Sequence, residues 1–279
     1  MTHPVLAPGR TAVVTGGAAG IGLAAARRFA GFGMKLAIAD LGAERLAVAA
    51  EALIAAGAPE VRAIACDVSD RAQVEALKAE VDADLGGADL VMNNAAIQPG
   101  SALFGDPAGW RRVLEVNLWG VIHGSQVFAP GLIGRGKHGA IVNTGSKQGI
   151  TSPPGDPAYN VAKAGVKTFT ELLAHEIRGQ DAEVTTHLLI PGFTFTDLTR
   201  GERAQKPAGA WEPGQVADFL VEAMGRGDFY ILCPDNEVSR DLDAKRMEWA
   251  MGDIIHNRPP LSRWHPDWGG AFAAFLKDG

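Results

Sequence analysis

The chain has 279 residues, with 26 Lys+Arg against 32 Asp+Glu and a formal net charge of −6. That balance argues against nucleic acid or an anionic membrane as partner. Its 47% hydrophobic and 21% charged residues exclude disorder, while its 35 glycines exceed the roughly 20 of an average composition without showing a collagen period.

In chain order, short apolar runs read as strands at Thr11–Thr15, Lys35–Ala39, Val61–Ala65, Ala88–Met92, Ala140–Thr144, Val184–Ile190 and Phe229–Leu232. Most are apolar throughout, as strands buried on both faces are. Helical periodicity marks Gly20–Gly31, Ala43–Ala56, Arg71–Leu85, Pro107–Ile133, Pro157–Arg178 and Pro213–Met224, with a further helix expected over Glu237–Ile255. Strand–helix alternation repeated this often predicts an α/β fold, a doubly wound sheet of about seven parallel strands with helices on both faces. With no linker or repeat, residues 1–279 read as a single domain. Residues 233–279 form a C-terminal extension expected to pack on that domain or on a neighbouring subunit.

Cys66 and Cys233 make neither a disulfide framework nor a zinc site and read as small buried hydrophobes. The seven histidines show no metal-ligand spacing, so no metal is expected. No apolar run reaches the length of a membrane span and the N-terminus has no signal-peptide pattern, so a cytoplasmic protein is expected.

The first strand runs into Thr15-Gly16-Gly17-Ala18-Ala19-Gly20-Ile21-Gly22, and a helix follows. Glycines there let a backbone approach a pyrophosphate, while the helix N-terminus offers free N–H groups and positive dipole. Asp40 ends the second strand, where a carboxylate can accept hydrogen bonds from an adenosine ribose and repel a 2′-phosphate. A plain tight turn beside a surface Asp is the bland alternative. Gly-Ala-Ala at 17–19 and Leu41, Gly42 and Ala43 after the acid offer no grip on a 2′-phosphate, and Arg27 and Arg28 are expected to face solvent. NAD is therefore the expected cofactor, with NADPH-dependent carbonyl reduction as the alternative.

Tyr159 and Lys163 are spaced i,i+4 on one helix face. A phenol titrates near 10 and is a poor base at neutral pH, and a nearby ammonium lowers that value enough for proton exchange with an alcohol. A core tyrosine beside a solvated lysine is the competing view.

Taken together, Thr15-Gly-x-x-x-Gly20-x-Gly22, Asn93-Asn94-Ala95-Ala96, Asn117, Ser146, Tyr159-x-x-x-Lys163 and Pro191-Gly192-x-x-x-Thr196 resemble the short-chain dehydrogenase/reductase family over about residues 10 to 232. The resemblance implies a Rossmann-type fold and an oxidoreductase that moves hydride between NAD(H) and a secondary alcohol or ketone. It implies Tyr159 as general acid/base, Lys163 as the residue that lowers its pKa and bonds the nicotinamide ribose, and Ser146 as the group polarising the substrate oxygen. Asn117 would hold a water of the proton relay. Around the cofactor it places Gly16, Ala19, Gly20, Ile21 and Gly22 at the phosphates, and Asp40 and Leu41 at the ribose. Asp67 and Val68 would meet the adenine, and Asn94, Ala95 and Ala96 would flank the cofactor. Pro191, Gly192, Phe193, Thr194 and Thr196 would border the nicotinamide. Two positions depart from the pattern, Ala96 for a glycine and Gly145 for a second serine, and neither removes a reactive group. A dinucleotide-sensing protein without turnover is a further alternative, against which the intact Asn117, Ser146, Tyr159 and Lys163 argue.

Gln98, Gln148, Pro153, Phe193, Phe195 and Trp211 are expected, with Ser146, to line the substrate pocket, whose apolar bias favours a hydrophobic or aromatic alcohol. Residues 196–213 allow at most a short lid. Four of the six tryptophans (Trp211, Trp249, Trp264, Trp268) lie beyond residue 210 and should be buried, either as packing or by closure of the tail over the active site. Long helices carrying Asn117 and Tyr159 form subunit contacts in the family, implying a homodimer or homotetramer.

Overall fold

A computed structural model describes residues 1–180 and 182–277; Asp278 and Gly279, the end of the expected extension, lie outside the described residues. The chain alternates β1 (Thr11–Thr15), α1 (Gly20–Gly31), β2 (Lys35–Asp40), α2 (Ala43–Ala55), β3 (Val61–Ala65), α3 (Arg71–Leu85) and β4 (Leu90–Asn93). There follow α4 (Pro107–Leu114), α5 (Gly120–Gly134), β5 (Gly139–Thr144), α6 (Gln148–Thr151), α7 (Pro157–Arg178) and β6 (Val184–Ile190). Then come α8 (Asp197–Arg200), α9 (Pro213–Arg226) and β7 (Tyr230–Leu232), and the tail adds α10 (Arg240–Ile255) and α11 (Gly269–Phe275).

The seven strands form one parallel sheet in the order β3-β2-β1-β4-β5-β6-β7, the Rossmann-type doubly wound arrangement expected. Every residue of β1, β4 and β5 is buried, whereas edge strand β3 has no fully buried residue, which explains why the central runs are apolar without alternation. One face of the sheet packs Leu36, Ile38 and Met92 against Phe29 of α1 and Met224 of α9. The other packs Val13, Val91 and Ile141 against Leu77 of α3 and Phe128 of α5. Winding reverses between β1 and β4, and the two strands' carboxyl ends part there to leave a crevice, the place where such sheets bind ligands.

Two segments differ from the expectations in ways that bear on function. The single helix expected over Pro107–Ile133 is α4 and α5 joined by a π-helical turn at Glu115–Trp119. That wider turn carries Asn117, which is wholly buried. The tail helix starts at Arg240 instead of Glu237, because the Asp235 carboxylate accepts the backbone N–H groups of Glu237 and Val238 (3.2 and 2.8 Å) and curls the chain. Ser239 then caps α10 by accepting from the Leu242 N–H at 3.2 Å.

Beyond α10 the tail folds around Trp249, which is buried. Its ring lies 5.3 Å from Phe272, 5.2 Å from Phe275 and 6.4 Å from Trp268, and the Arg258 guanidinium stacks 4.0 Å from its centre. Its indole N–H donates to Ser262 Oγ (2.7 Å), and Asp253 accepts from Ser262 Oγ and from Arg258 Nε (2.5 and 3.0 Å). Burial of the four late tryptophans is uneven. Trp211 and Trp268 are half-buried, and Trp264 stays 38% exposed under Arg263 at 4.7 Å.

Candidate active site

A cleft of about 610 Å³ opens at the carboxyl ends of the strands. At its centre the chain leaves β1 through Gly16 and Gly20, whose φ of +64° and +53° favour glycine. A Cβ on Gly16 would stand 2.9 Å from Ala95 Cα. The loop is pinned from beneath: Thr15 Oγ1 accepts the N–H of Asn94 (2.9 Å) and of Ala95 (3.2 Å), and Asn94 Nδ2 donates to the Thr15 carbonyl at 3.1 Å. No side chain caps α1 and no acid occupies its first turn, so its N–H groups and dipole are open to an anion. Gly16, Ala19, Gly20 and Ile21 face the cleft as expected. Gly22 does not. A Cβ there would come 2.2 Å from the Gly16 carbonyl and 2.6 Å from Asn94 Nδ2, so its glycine lets the helix close onto the loop.

At one end of the cleft lie Asp40, Leu41, Asp67 and Val68. The Asp40 carboxylate accepts from Ala18 N (3.3 Å) and Leu41 N (2.8 Å), tying the Gly-rich loop to β2. The expectation of no basic group there needs correction. Arg45, in the first turn of α2, folds back to within 3.3 Å of Asp40 Oδ1 and lines the cleft. Arg112 of α4 does the same beside Asp67 at 3.5 Å. Burial pushes the Asp67 carboxyl up, but hydrogen bonds from Ser69 and the Arg112 guanidinium leave it below its ordinary value. Neither arginine was legible from the residues next to the acids, because a helical turn and a chain crossover bring them in.

At the other end Ser146, Tyr159 and Lys163 meet. Ser146 follows β5, and its Oγ accepts the Gln148 N–H at 3.2 Å. Tyr159 and Lys163 lie one turn apart on α7, with Nζ 5.7 Å from the phenol ring centre and donating to the Thr144 carbonyl at 2.8 Å. Burial pushes the Tyr159 phenol up to about 12, opposed by a hydrogen bond with Ser146 and reinforced by Asp156. Burial also pushes the Lys163 ammonium down to about 8. The lowering by Lys163 expected from the i,i+4 spacing is therefore not found: desolvation dominates, and the one opposing group is Ser146. Asn117 stands behind this group, off the cleft wall. Its Oδ1 accepts from Ile97 N and its Nδ2 donates to Ile97 O, both at 2.8 Å. These two bonds anchor Ile97, which does line the cleft.

Pro191, Gly192, Phe193, Thr194 and Thr196 border the same end, and Asn94, Ala95 and Ala96 lie between the two ends. Thr196 caps the one-turn helix α8 in a reciprocal arrangement with Thr199 and reaches over the Gly-rich loop, its Cγ2 3.3 Å from where a Gly20 Cβ would stand. Asp197, Leu198 and Thr199 complete that wall.

Among the substrate candidates, Gln98, Gln148 and Phe193 line the cleft and Pro153, Phe195 and Trp211 do not. Phe195 lies between Thr194 and Thr196 on extended backbone, so when both threonines face in, it faces out. Trp211 is paired with this segment through its backbone, donating to Phe193 O and accepting from Phe195 N (both 2.8 Å), and its ring turns onto Phe219 at 6.0 Å. Pro153 is drawn to α7, its carbonyl accepting from Asn160 Nδ2 at 2.7 Å.

The cleft fits an extended dinucleotide. Asp40 and the Pro191–Thr196 segment end strands four positions apart in the sheet, about 19 Å at the usual strand spacing, with the anion-ready loop between them.

Comparison with known proteins agrees with this geometry. The family model described as short chain dehydrogenase matches residues 10–207. The chain is 34% identical over 261 residues to 1-deoxy-11-beta-hydroxypentalenate dehydrogenase of Streptomyces exfoliatus, covering 91% of this chain and 94% of that one. It is 33% identical over 227 residues to D-beta-hydroxybutyrate dehydrogenase of Cupriavidus necator, covering 79% and 85%. Its fold matches that of a short chain dehydrogenase/reductase from Burkholderia phymatum crystallised in complex with NAD, with a TM-score of 0.82 and 33% identity over 91% of this chain and 96% of that one.

Proposed function

The chain belongs to the short-chain dehydrogenase/reductase family and is an oxidoreductase of CH–OH groups, and we propose that it uses NAD(H) to interconvert a secondary alcohol and its ketone. The observation that carries this reading is the convergence of Ser146, Tyr159 and Lys163 at the end of the cleft remote from Asp40. When bound, the nicotinamide accepts hydride from the alcohol carbon or returns it to the ketone. Ser146 Oγ holds the substrate oxygen. Tyr159 takes its proton in oxidation and returns it in reduction. Burial favours the protonated phenol in the free enzyme, so oxidation first releases that proton toward solvent, and the positive Lys163 ammonium beside the ring favours the phenolate that then accepts the alcohol's proton. Asn117 fixes Ile97 against the substrate side. Asp40 is the ribose partner, and the D-beta-hydroxybutyrate and hydroxypentalenate relatives support an alcohol substrate. Ile97, Phe193 and Leu198 support one that is hydrophobic or aromatic.

Arg45 favours one second reading: a cation 3.3 Å from Asp40 could meet a 2′-phosphate, making NADP(H) a usable cofactor. The proposal further reads residues 1–279 as one catalytic unit with its tail, in a reducing cytoplasm supported by the free, buried Cys66 and Cys233. We also read it as a homo-oligomer through the α5–α7 face, where Trp119, Val161 and Leu172 are exposed.

Mixing the protein with NAD⁺ or NADP⁺ and a panel of secondary alcohols, with absorbance followed at 340 nm, tests the cofactor and the reaction together. Tyr159→Phe should lower kcat at least about 100-fold while leaving NADH binding intact. Retention of more than a few per cent of the rate would overturn the assignment of Tyr159.

A further inference from the structure

Lys147 follows Ser146, and its backbone joins two walls of the site. Its N–H donates to the Pro191 carbonyl at 3.3 Å, and its carbonyl accepts the N–H groups of Ile150 and Thr151, both at 3.1 Å, to start α6. Its side chain turns toward the tail. Nζ lies 3.3 Å from Asp235 Oδ2 and 2.6 Å from Asp243 Oδ2. The lysine side chain is 17% exposed and each carboxylate 7%.

Both acids lie beyond residue 207, where the family match ends: Asp235 in the turn after β7, Asp243 in the first turn of α10. Asp235 Oδ2 also accepts the Phe193 N–H at 3.4 Å. The cluster presses on Gly192, where a Cβ would come 2.7 Å from Asp235 Oδ2 and 3.1 Å from Lys147 Cε. Three segments are therefore held at one point: the loop of Ser146, the Gly192–Phe193 wall and the tail. Two carboxylates around one ammonium, all largely removed from water, are a poor source of stability, since desolvation offsets their attraction. Their geometric effect is large, because moving any one segment strands a buried charge.

We propose that Lys147 is a positioning residue, and that the tail, through Asp235 and Asp243, sets the Gly192–Phe193 wall against Ser146. This rests on the reading of the cleft as a dinucleotide site whose nicotinamide half lies beside that wall. The tail thus acts on the site through the cluster, with Lys147 on the cleft wall and both acids behind it.

ADP-ribose, which lacks the nicotinamide, separates the two halves of the site without a known substrate. Dissociation constants for NADH and ADP-ribose should be measured by fluorescence and calorimetry on wild type, Lys147→Met, Lys147→Arg and Asp243→Asn, with thermal melting to confirm folding. Lys147→Met and Asp243→Asn should weaken NADH about tenfold and leave ADP-ribose unchanged, and Lys147→Arg, which keeps the charge, should recover most of the NADH affinity. NADH and ADP-ribose weakening together, or neither changing in folded variants, overturns the inference. If Lys147→Met does not fold, Asp243→Asn and Lys147→Arg decide it by the same ratio. Wild type that binds neither ligand overturns the dinucleotide reading itself, and the inference falls with it; wild type that binds both leaves that reading standing whatever the variants do.

Discussion

The Gly-rich loop lines the cleft and the tail touches residues of its wall from outside, and the two are built by opposite means. In the loop, backbone geometry governs: Gly16 and Gly20 sit at positive φ, Gly22 has room for no Cβ, and the groups turned to the cleft are N–H groups and a helix dipole. In the tail, side chains govern: Trp249, Phe272, Phe275 and Arg258 make a satellite core of their own, and Asp235 and Asp243 carry its position to Lys147. A backbone device tolerates almost no substitution but leaves a strong sequence pattern. A side-chain device can be assembled from many residues and leaves almost none.

The sharpest way to break the contrast is Gly22→Ala. One added methyl would overlap the Gly16 carbonyl, so the loop must shift; we expect dinucleotide affinity to fall by about 100-fold or more, with a stability loss of about 3 kcal/mol. Unchanged NADH titrations and thermal melts would show that the loop has slack and that backbone geometry does not govern it. Trp249→Ala comes next. Removing a buried tryptophan costs about 3–5 kcal/mol, and here the loss should fall on the tail, giving fast proteolysis after residue 239 and weaker binding of NADH than of ADP-ribose. Tail proteolysis at the wild-type rate would show that the aromatic cluster does not hold it. The smallest effect is expected at the boundary of the two plans, where Arg45 is a side-chain addition beside the backbone-ordered loop. If Asp40 decides the cofactor, Arg45→Ala should change the NAD/NADP ratio of kcat/KM only a few-fold, about 1 kcal/mol as for exposed ion pairs, whereas Asp40→Ala should shift it toward NADP by about tenfold or more. A larger effect of Arg45→Ala than of Asp40→Ala would favour the NADP reading.

Much of the site was legible because its chemistry constrains residue type and spacing together. Tyr159 and Lys163 share a face wherever that segment is helical. Ser146 follows a strand that must be buried, and Asp40 ends the strand beside the glycine loop. Where the expectations failed, the missing information was a direction or a distant contact. Phe195 and Trp211 have the composition of a pocket wall, yet strand alternation and a backbone pairing turn them away. Arg45 and Arg112 were invisible as site residues because each reaches its acid across a turn or a crossover. The Tyr159 spacing suggested a lowered phenol, whereas burial, with Asp156 beside it, raises it.

The amino-acid sequence by itself determined the order of strands and helices, the parallel sheet and most of the residues that meet in the cleft, because apolar period, glycine at forced backbone geometry and helical spacing are local properties. Only the tertiary structure decided which side chains face the cleft, how far burial moves Tyr159 and Lys163, and that Lys147 is clasped by two acids nearly ninety and a hundred residues away. Those depend on desolvation and on contacts between remote segments, which packing creates and no local pattern encodes.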